Sequence, residues 1–120
     1  MRDFKKLAVW ERAHGLALDL YRSTSTFPAS EVYALTSQIR RAAASVPTNI
    51  AEGCGRDSDA ELARFLRIAM GSGNELEYLL ILSRDLKYLQ LTEYESLSAR
   101  LSETKRMLSG LLRTLHSGNL

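Results

Sequence analysis

From Tyr94 onward the apolar residues recur with a spacing that fits a helix and not a strand. Tyr94, Leu97, Leu101, Thr104, Leu108, Leu111 and Leu115 follow one another in steps of 3, 4, 3, 4, 3 and 4. That is an a/d seam, which lays one continuous apolar line along a helix and asks for a partner at a small crossing angle. Thr92-Glu93-Tyr94-Glu95 reads as a capping box and Gly118 as a stop, so the spacing predicts a helix over 93–116. A chain with such a seam is committed to helix packing.

The rest of the chain agrees. Ser58-Asp59-Ala60-Glu61 is a second capping box, and the helical pattern behind it runs to about Tyr88. This helix carries two apolar stripes. One is Leu62, Leu66, Ala69, Gly73, Leu76 and Leu80; the other is Phe65, Ile68, Ser72, Leu79, Leu82 and Leu86. A further helix is expected over 31–53, with Leu35, Ile39, Ala42, Val46 and Ile50 as its seam and Gly53 and Gly55 at its end. Pro47 removes the amide that would reach the carbonyl of Ala43, giving a kink or a break. The apolar spacing stays in phase across it, which favours the kink. The first helix is expected over 8–25, with Trp10, Ala13, Ala17, Leu20 and Tyr21 facing in and Ser23 to Pro28 ending it. Phe4 and Leu7 should tuck the N-terminal arm against the others. Short connections make sequential helices antiparallel neighbours. The expected fold is therefore all-α, an antiparallel up-down-up-down four-helix bundle spanning residues 1–120 as one domain.

Composition narrows the function. The chain has 120 residues, 16 basic and 14 acidic, a net charge of +2 that does not announce a polyanion partner. One cysteine leaves no internal disulfide and no multi-cysteine zinc site. No apolar run approaches the ~20 residues that cross a bilayer. Met1 to Lys6 are followed by no apolar leader region, so a cytoplasmic protein with no membrane partner is expected.

Catalytic patterns fail one by one. A di-iron bundle needs two Glu-x-x-His pairs. Glu11 and His14 form one, but Arg113 stands three residues before His116, so these residues read as surface. Gly53-Cys54-Gly55 follows a helix and lacks the third glycine of a dinucleotide loop. Gly71-Ser72-Gly73 lacks the spacing of a nucleophile elbow. Cys54 has no identifiable basic partner and reads as a packing residue. No enzyme activity, cofactor or metal is expected.

Two clusters and one patch remain. Gly71 and Gly73 each cost ~1 kcal/mol in a helix interior, which suggests close approach by the small-residue run Ala42-Ala43-Ala44-Ser45. Beside that contact, Asn49, Glu52, Arg56, Arg64, Ser72 and Glu75 make a solvated face, a buried polar network or a ligand cleft. The apolar surface of the long third helix around Phe65, Ile68, Tyr78, Leu79 and Leu82 exceeds what one bundle interior accepts, so copies of the chain should cover it.

Residues 45–56, Ser-Val-Pro-Thr-Asn-Ile-Ala-Glu-Gly-Cys-Gly-Arg, resemble the signature of the 23S rRNA intervening-sequence proteins. Phe27-Pro28, Glu31 to Leu35, Gln38 to Ala42, Arg64-Phe65-Leu66 and Gly71 to Glu77 extend the likeness, and Phe4, Leu7, Val9 and Trp10 fit the opening. It covers almost the whole chain and is weakest after Tyr94. The resemblance implies a four-helix bundle assembling into a homopentameric ring, with no established catalytic residue to carry over. A related group of accessory proteins of diversity-generating retroelements forms similar rings that bind nucleic acid and a reverse transcriptase.

Two functions follow as expectations. One is a non-enzymatic oligomeric scaffold that binds RNA or DNA, with Arg40, Arg41, Arg64 and Arg67 on phosphates. The other is an adaptor whose inter-subunit grooves hold a partner protein. Against the first, the same arginines can pair with Glu52, Glu61 and Glu75 within or between copies.

Overall fold

The structure is a computed structural model and describes residues 2–117. Among these the regular elements are helical: α1 (Ala8–Thr24), α2 (Leu35–Cys54), α3 (Asp59–Asp85) and α4 (Leu91–Ser117), with single 3-10 turns at Phe4–Lys6 and Ala29–Glu31. The body measures 45 × 24 × 20 Å, one long helix in length and two helices across.

α1 ends where the sequence turns to hydroxyls. Thr24 Oγ1 donates to the carbonyl of Leu20 at 2.8 Å, Ser25 Oγ to Arg22 at 2.6 Å and Thr26 Oγ1 to Ser23 at 3.1 Å, so side chains satisfy the last turn's carbonyls. Tyr21, expected inside, is 45% exposed, while Leu16, not on the expected stripe, is buried. The start expected at residue 31 moves to Leu35. The Glu31 carboxylate accepts the Leu35 amide at 3.4 Å and the Tyr88 hydroxyl at 2.9 Å, holding the preceding turn against the far end of α3. The seam Leu35, Ile39, Ala42, Val46 and Ile50 is buried throughout, and α2 runs unbroken through Pro47.

Ser58 caps α3, its hydroxyl accepting the Glu61 amide at 3.1 Å. The other half of the box is not made, because the Glu61 carboxylate turns to Arg64. α3 stops at Asp85, three residues short of expectation. Lys87 sits at φ 65°, with the Tyr88 amide on the Ser83 carbonyl and the Lys87 amide on Arg84, both at 2.9 Å. This is a helix stop of the kind glycine favours, hidden here by a lysine. α4 begins at Leu91, so Thr92 lies inside it and does not cap it; the Gln90 carbonyl takes the Tyr94 amide at 2.9 Å, and Glu93 accepts Ser23 Oγ at 2.8 Å. Gly118, the expected stop, lies outside the described residues.

Two buried clusters fill the interior. One joins Leu16 and Leu20 of α1, Leu35 and Ile39 of α2, Leu76 and Leu80 of α3, and Leu97 and Leu101 of α4. The other joins Val9 and Ala13, Val46 and Ile50, Leu62 and Leu66, and Leu108 and Leu115. Burying each such leucine is worth ~1.5–3 kcal/mol. Phe4 and Leu7 pack on the second cluster, as expected of the N-terminal arm.

The closest helix contact is between α2 and α3, but not at the glycines singled out for it. A Cβ at Gly53 would stand 2.8 Å from Leu62 Cδ1 and 3.0 Å from Phe65 Cβ. Gly73 instead faces α4, with Lys105 Cγ at 3.4 Å, and Gly71 faces open space.

Candidate functional site

α1 and α2 leave a groove between them. α1 raises one wall from Trp10, His14, Leu18 and Tyr21, residues spaced by 4, 4 and 3 on one helical face. On α2 the facing positions are Ala44, Pro47, Thr48 and Ala51, too small to fill the space. A cavity of about 430 Å³ results. The wall is braced from within. Trp10 stacks on the His14 imidazole at 5.0 Å and 9°, and Phe4 meets Trp10 edge-on at 5.0 Å. Arg40 holds Tyr21, with its guanidinium 5.1 Å from the Tyr21 ring and its Nη2 on the Tyr21 carbonyl at 3.1 Å. Leu18 and Tyr21 stay 43% and 45% exposed. Among the described residues the lining is aromatic and aliphatic around one imidazole, with Thr48 as the only hydroxyl outside the α1 wall. Nothing in the sequence pattern singles out this groove: Trp10 and Tyr21 fall on the expected inward stripe of α1, and the small residues at i, i+3, i+4 and i+7 on α2, off its core seam, are the one available signal.

The polar cluster expected beside the α2–α3 contact contracts. Ser45 Oγ and Ser72 Oγ bond at 2.7 Å, and Asn49 Nδ2 donates to Ser45 Oγ at 3.0 Å and to its carbonyl at 2.8 Å. Glu52 and Arg56 form a loose, exposed pair at 3.8 Å, and Glu75 is exposed with no ion-pair partner among the described residues. Thus Asn49 and Ser72 come together through Ser45, while Glu52, Arg56 and Glu75 stand apart from them.

The sequence profile described as 23S rRNA-intervening sequence protein matches residues 5–110. The chain belongs to the 23S rRNA-intervening sequence protein family. It is also similar to a protein of unknown function from the S23 ribosomal protein family of Bacteroides thetaiotaomicron, whose crystal structure was determined at 1.70 Å. Identity is 25% and the TM-score 0.81, with 89% of this chain and 100% of that one covered. Comparison with curated proteins finds no match.

Within this family frame the expected arginines divide. Arg40 spends its Nε on Thr24 Oγ1 at 3.0 Å and its NH2 on Tyr21. Arg64 donates to Glu61 at 3.1 Å and lies 4.6 Å from the Phe65 ring, with Arg56 on that ring at 4.7 Å. The Arg64 hydrogen bond holds the Glu61 carboxyl below its ordinary range. Arg41 and Arg67 are exposed and make no ion pair among the described residues. The expected oligomer patch also divides. Phe65 and Leu79 are buried within the chain at 6% and 5%, because α2 covers the flank of α3 that carries them, and Leu82 is half-buried. Ile68 and Tyr78 remain exposed, at 41% and 59%. Cys54 is buried, and loss of water raises its thiol pKa, which fits the packing role expected of it.

Proposed function

We propose that this chain is the subunit of a non-enzymatic, cyclic homo-oligomeric scaffold, five copies to the ring as the family resemblance implies, working in the cytoplasm by binding rather than by chemistry. The observation that carries this reading is the open aromatic groove between α1 and α2. A cavity of about 430 Å³ walled by Trp10, Leu18 and Tyr21 is a face that calls for cover. The subunit is read as an antiparallel up-down-up-down bundle. Support comes from the second core cluster, where the first halves of α1 and α3 meet the second halves of α2 and α4. Light scattering on the full chain should return a multiple of 13.4 kDa; a mass of 13.4 kDa at every concentration would end the proposal.

Nucleic acid is the partner that the family's name and the related retroelement proteins suggest. With Arg40 and Arg64 engaged inside the chain, phosphate contact would rest on Arg41 and Arg67. A ring multiplies the +2 of one chain and repeats those contacts, so binding should be weakly sequence-dependent and fall steeply with salt. Filter retention of RNA and DNA at low and high salt tests it, and absence of retention at low salt would leave the adaptor reading. That second reading, a partner protein held by the ring, is favoured by the apolar lining of the groove.

A further inference from the structure

Among the described residues nothing packs against Gly71. It lies mid-helix in α3, where glycine is destabilising relative to alanine, and a Cβ there would meet nothing within 4 Å. Its face of α3 also carries exposed Ile68 and Tyr78, and it is bracketed by Arg67 and Glu75, charges without an ion-pair partner among the described residues. The groove has the reciprocal pattern. Arg41 stands one turn before Ala44 on α2, and Glu11 stands one turn before His14 on α1; both are exposed and also lack an ion-pair partner.

The spacings agree. Arg67 and Glu75 are eight residues apart, about 12 Å along α3. Trp10, beside Glu11, packs with the second core cluster, to which Ile50 also belongs; Ala51, the next residue, lines the same groove. Ala51 lies ten residues from Arg41, about 15 Å along α2. The heights agree as well. The Ser45–Ser72 bond sets those residues level; Glu75 and Arg41 lie about one turn from them in the same direction, and Arg67 lies in the other, toward the end where Gly53 meets Phe65.

We propose that the outer face of α3 in one copy docks into the α1–α2 groove of the next, Ile68 and Tyr78 entering the groove, Gly71 permitting close backbone approach, Glu75 meeting Arg41 and Arg67 meeting Glu11. This rests on the oligomer reading above and names its surfaces. The two faces differ from each other, so the contact is head-to-tail, the kind that builds a ring when its rotation closes. It takes Arg41 and Arg67 away from phosphate.

Charge reversal tests it, because like charges across an interface cost several kcal/mol. Sedimentation velocity of the full chain should show Glu75→Arg alone and Arg41→Glu alone dissociated, and the double variant reassembled. Gly71→Arg should also dissociate while keeping the helical circular dichroism of a folded subunit. Single reversals that leave the mass unchanged, or a double variant that fails to reassemble, would overturn this docking while the assembled wild type keeps the oligomer reading. A wild type that is monomeric throughout would remove both.

Discussion

The two sides of α2 are built from similar residues and end differently. Toward α3, glycine and serine bring two backbones together: Leu62 and Phe65 press on Gly53, and Ser45 bonds Ser72. Toward α1, Ala44, Thr48 and Ala51 are just as small, but the facing row of Trp10, His14 and Tyr21 holds the helices apart and leaves a groove. Small residues therefore do not by themselves report close packing. What stands opposite decides: a leucine and a phenylalanine that interlock with glycine on one side, a braced aromatic wall on the other.

The largest effect expected from this contrast is on core stability. In the Gly71→Arg background, where a single subunit's stability is read, Leu66→Ala or Ile50→Ala should cost ~2–5 kcal/mol in urea denaturation. Leu18→Ala, on the groove side, should stay within ~0.5 kcal/mol there. Equal losses would mean that the groove is part of the subunit core. Next come the glycines. Gly53→Ala must push Leu62 and Phe65 apart and should cost ~1–3 kcal/mol. Gly71→Ala, with open space around it, should stabilise the subunit by ~1 kcal/mol yet weaken its association, a split that thermal denaturation and sedimentation read separately.

Two smaller changes probe ends and edges away from α2. Lys87→Gly should stabilise by ~0.5–1 kcal/mol, since glycine adopts the left-handed conformation at φ 65° without steric cost. A loss on chemical denaturation would show that the lysine side chain matters more than its backbone. The smallest effect is on Asp19. It accepts Arg100 at 2.6 Å and Arg22 at 2.8 Å, and the Arg100 hydrogen bond above all lowers its pKa. A lowered folded-state pKa gives stability that is present above the ordinary carboxylate value and lost as pH falls through the lowered one. The carboxylate is 39% exposed, so solvent screening leaves a few tenths of a kcal/mol. Asp19→Asn should flatten the acid limb of the stability profile by that amount.

Most of the helices could be read from the sequence because their apolar spacing and the core need coincide. The seams from Leu35 to Ile50 and from Leu97 to Leu108 are buried as written. The errors lie where a residue's type and its neighbour's shape disagree. Tyr21 sits on the edge of the α1 stripe and turns out to the groove. Phe65 and Leu79 looked surplus to one bundle face, but α3 is flanked by both α2 and α4 and buries more than one stripe. Lys87 disguises a turn that a glycine would have announced. The residues of the expected polar cluster divide: helical spacing puts Asn49 and Ser72 on facing flanks, while only the contact distances show that Ser45 joins them and that Glu52 and Arg56 pair with each other.

Trp10 offers the most direct measurement of the central claim, that the α1 side of α2 is covered by the next copy. It is the chain's sole tryptophan and stands in the groove wall on α1, whereas Gly71 is on α3. Acrylamide quenching of its fluorescence should be weak in the wild type and markedly stronger in Gly71→Arg, where a Cβ enters open space. Equal quenching in the two proteins, with the variant still folded, would contradict the account.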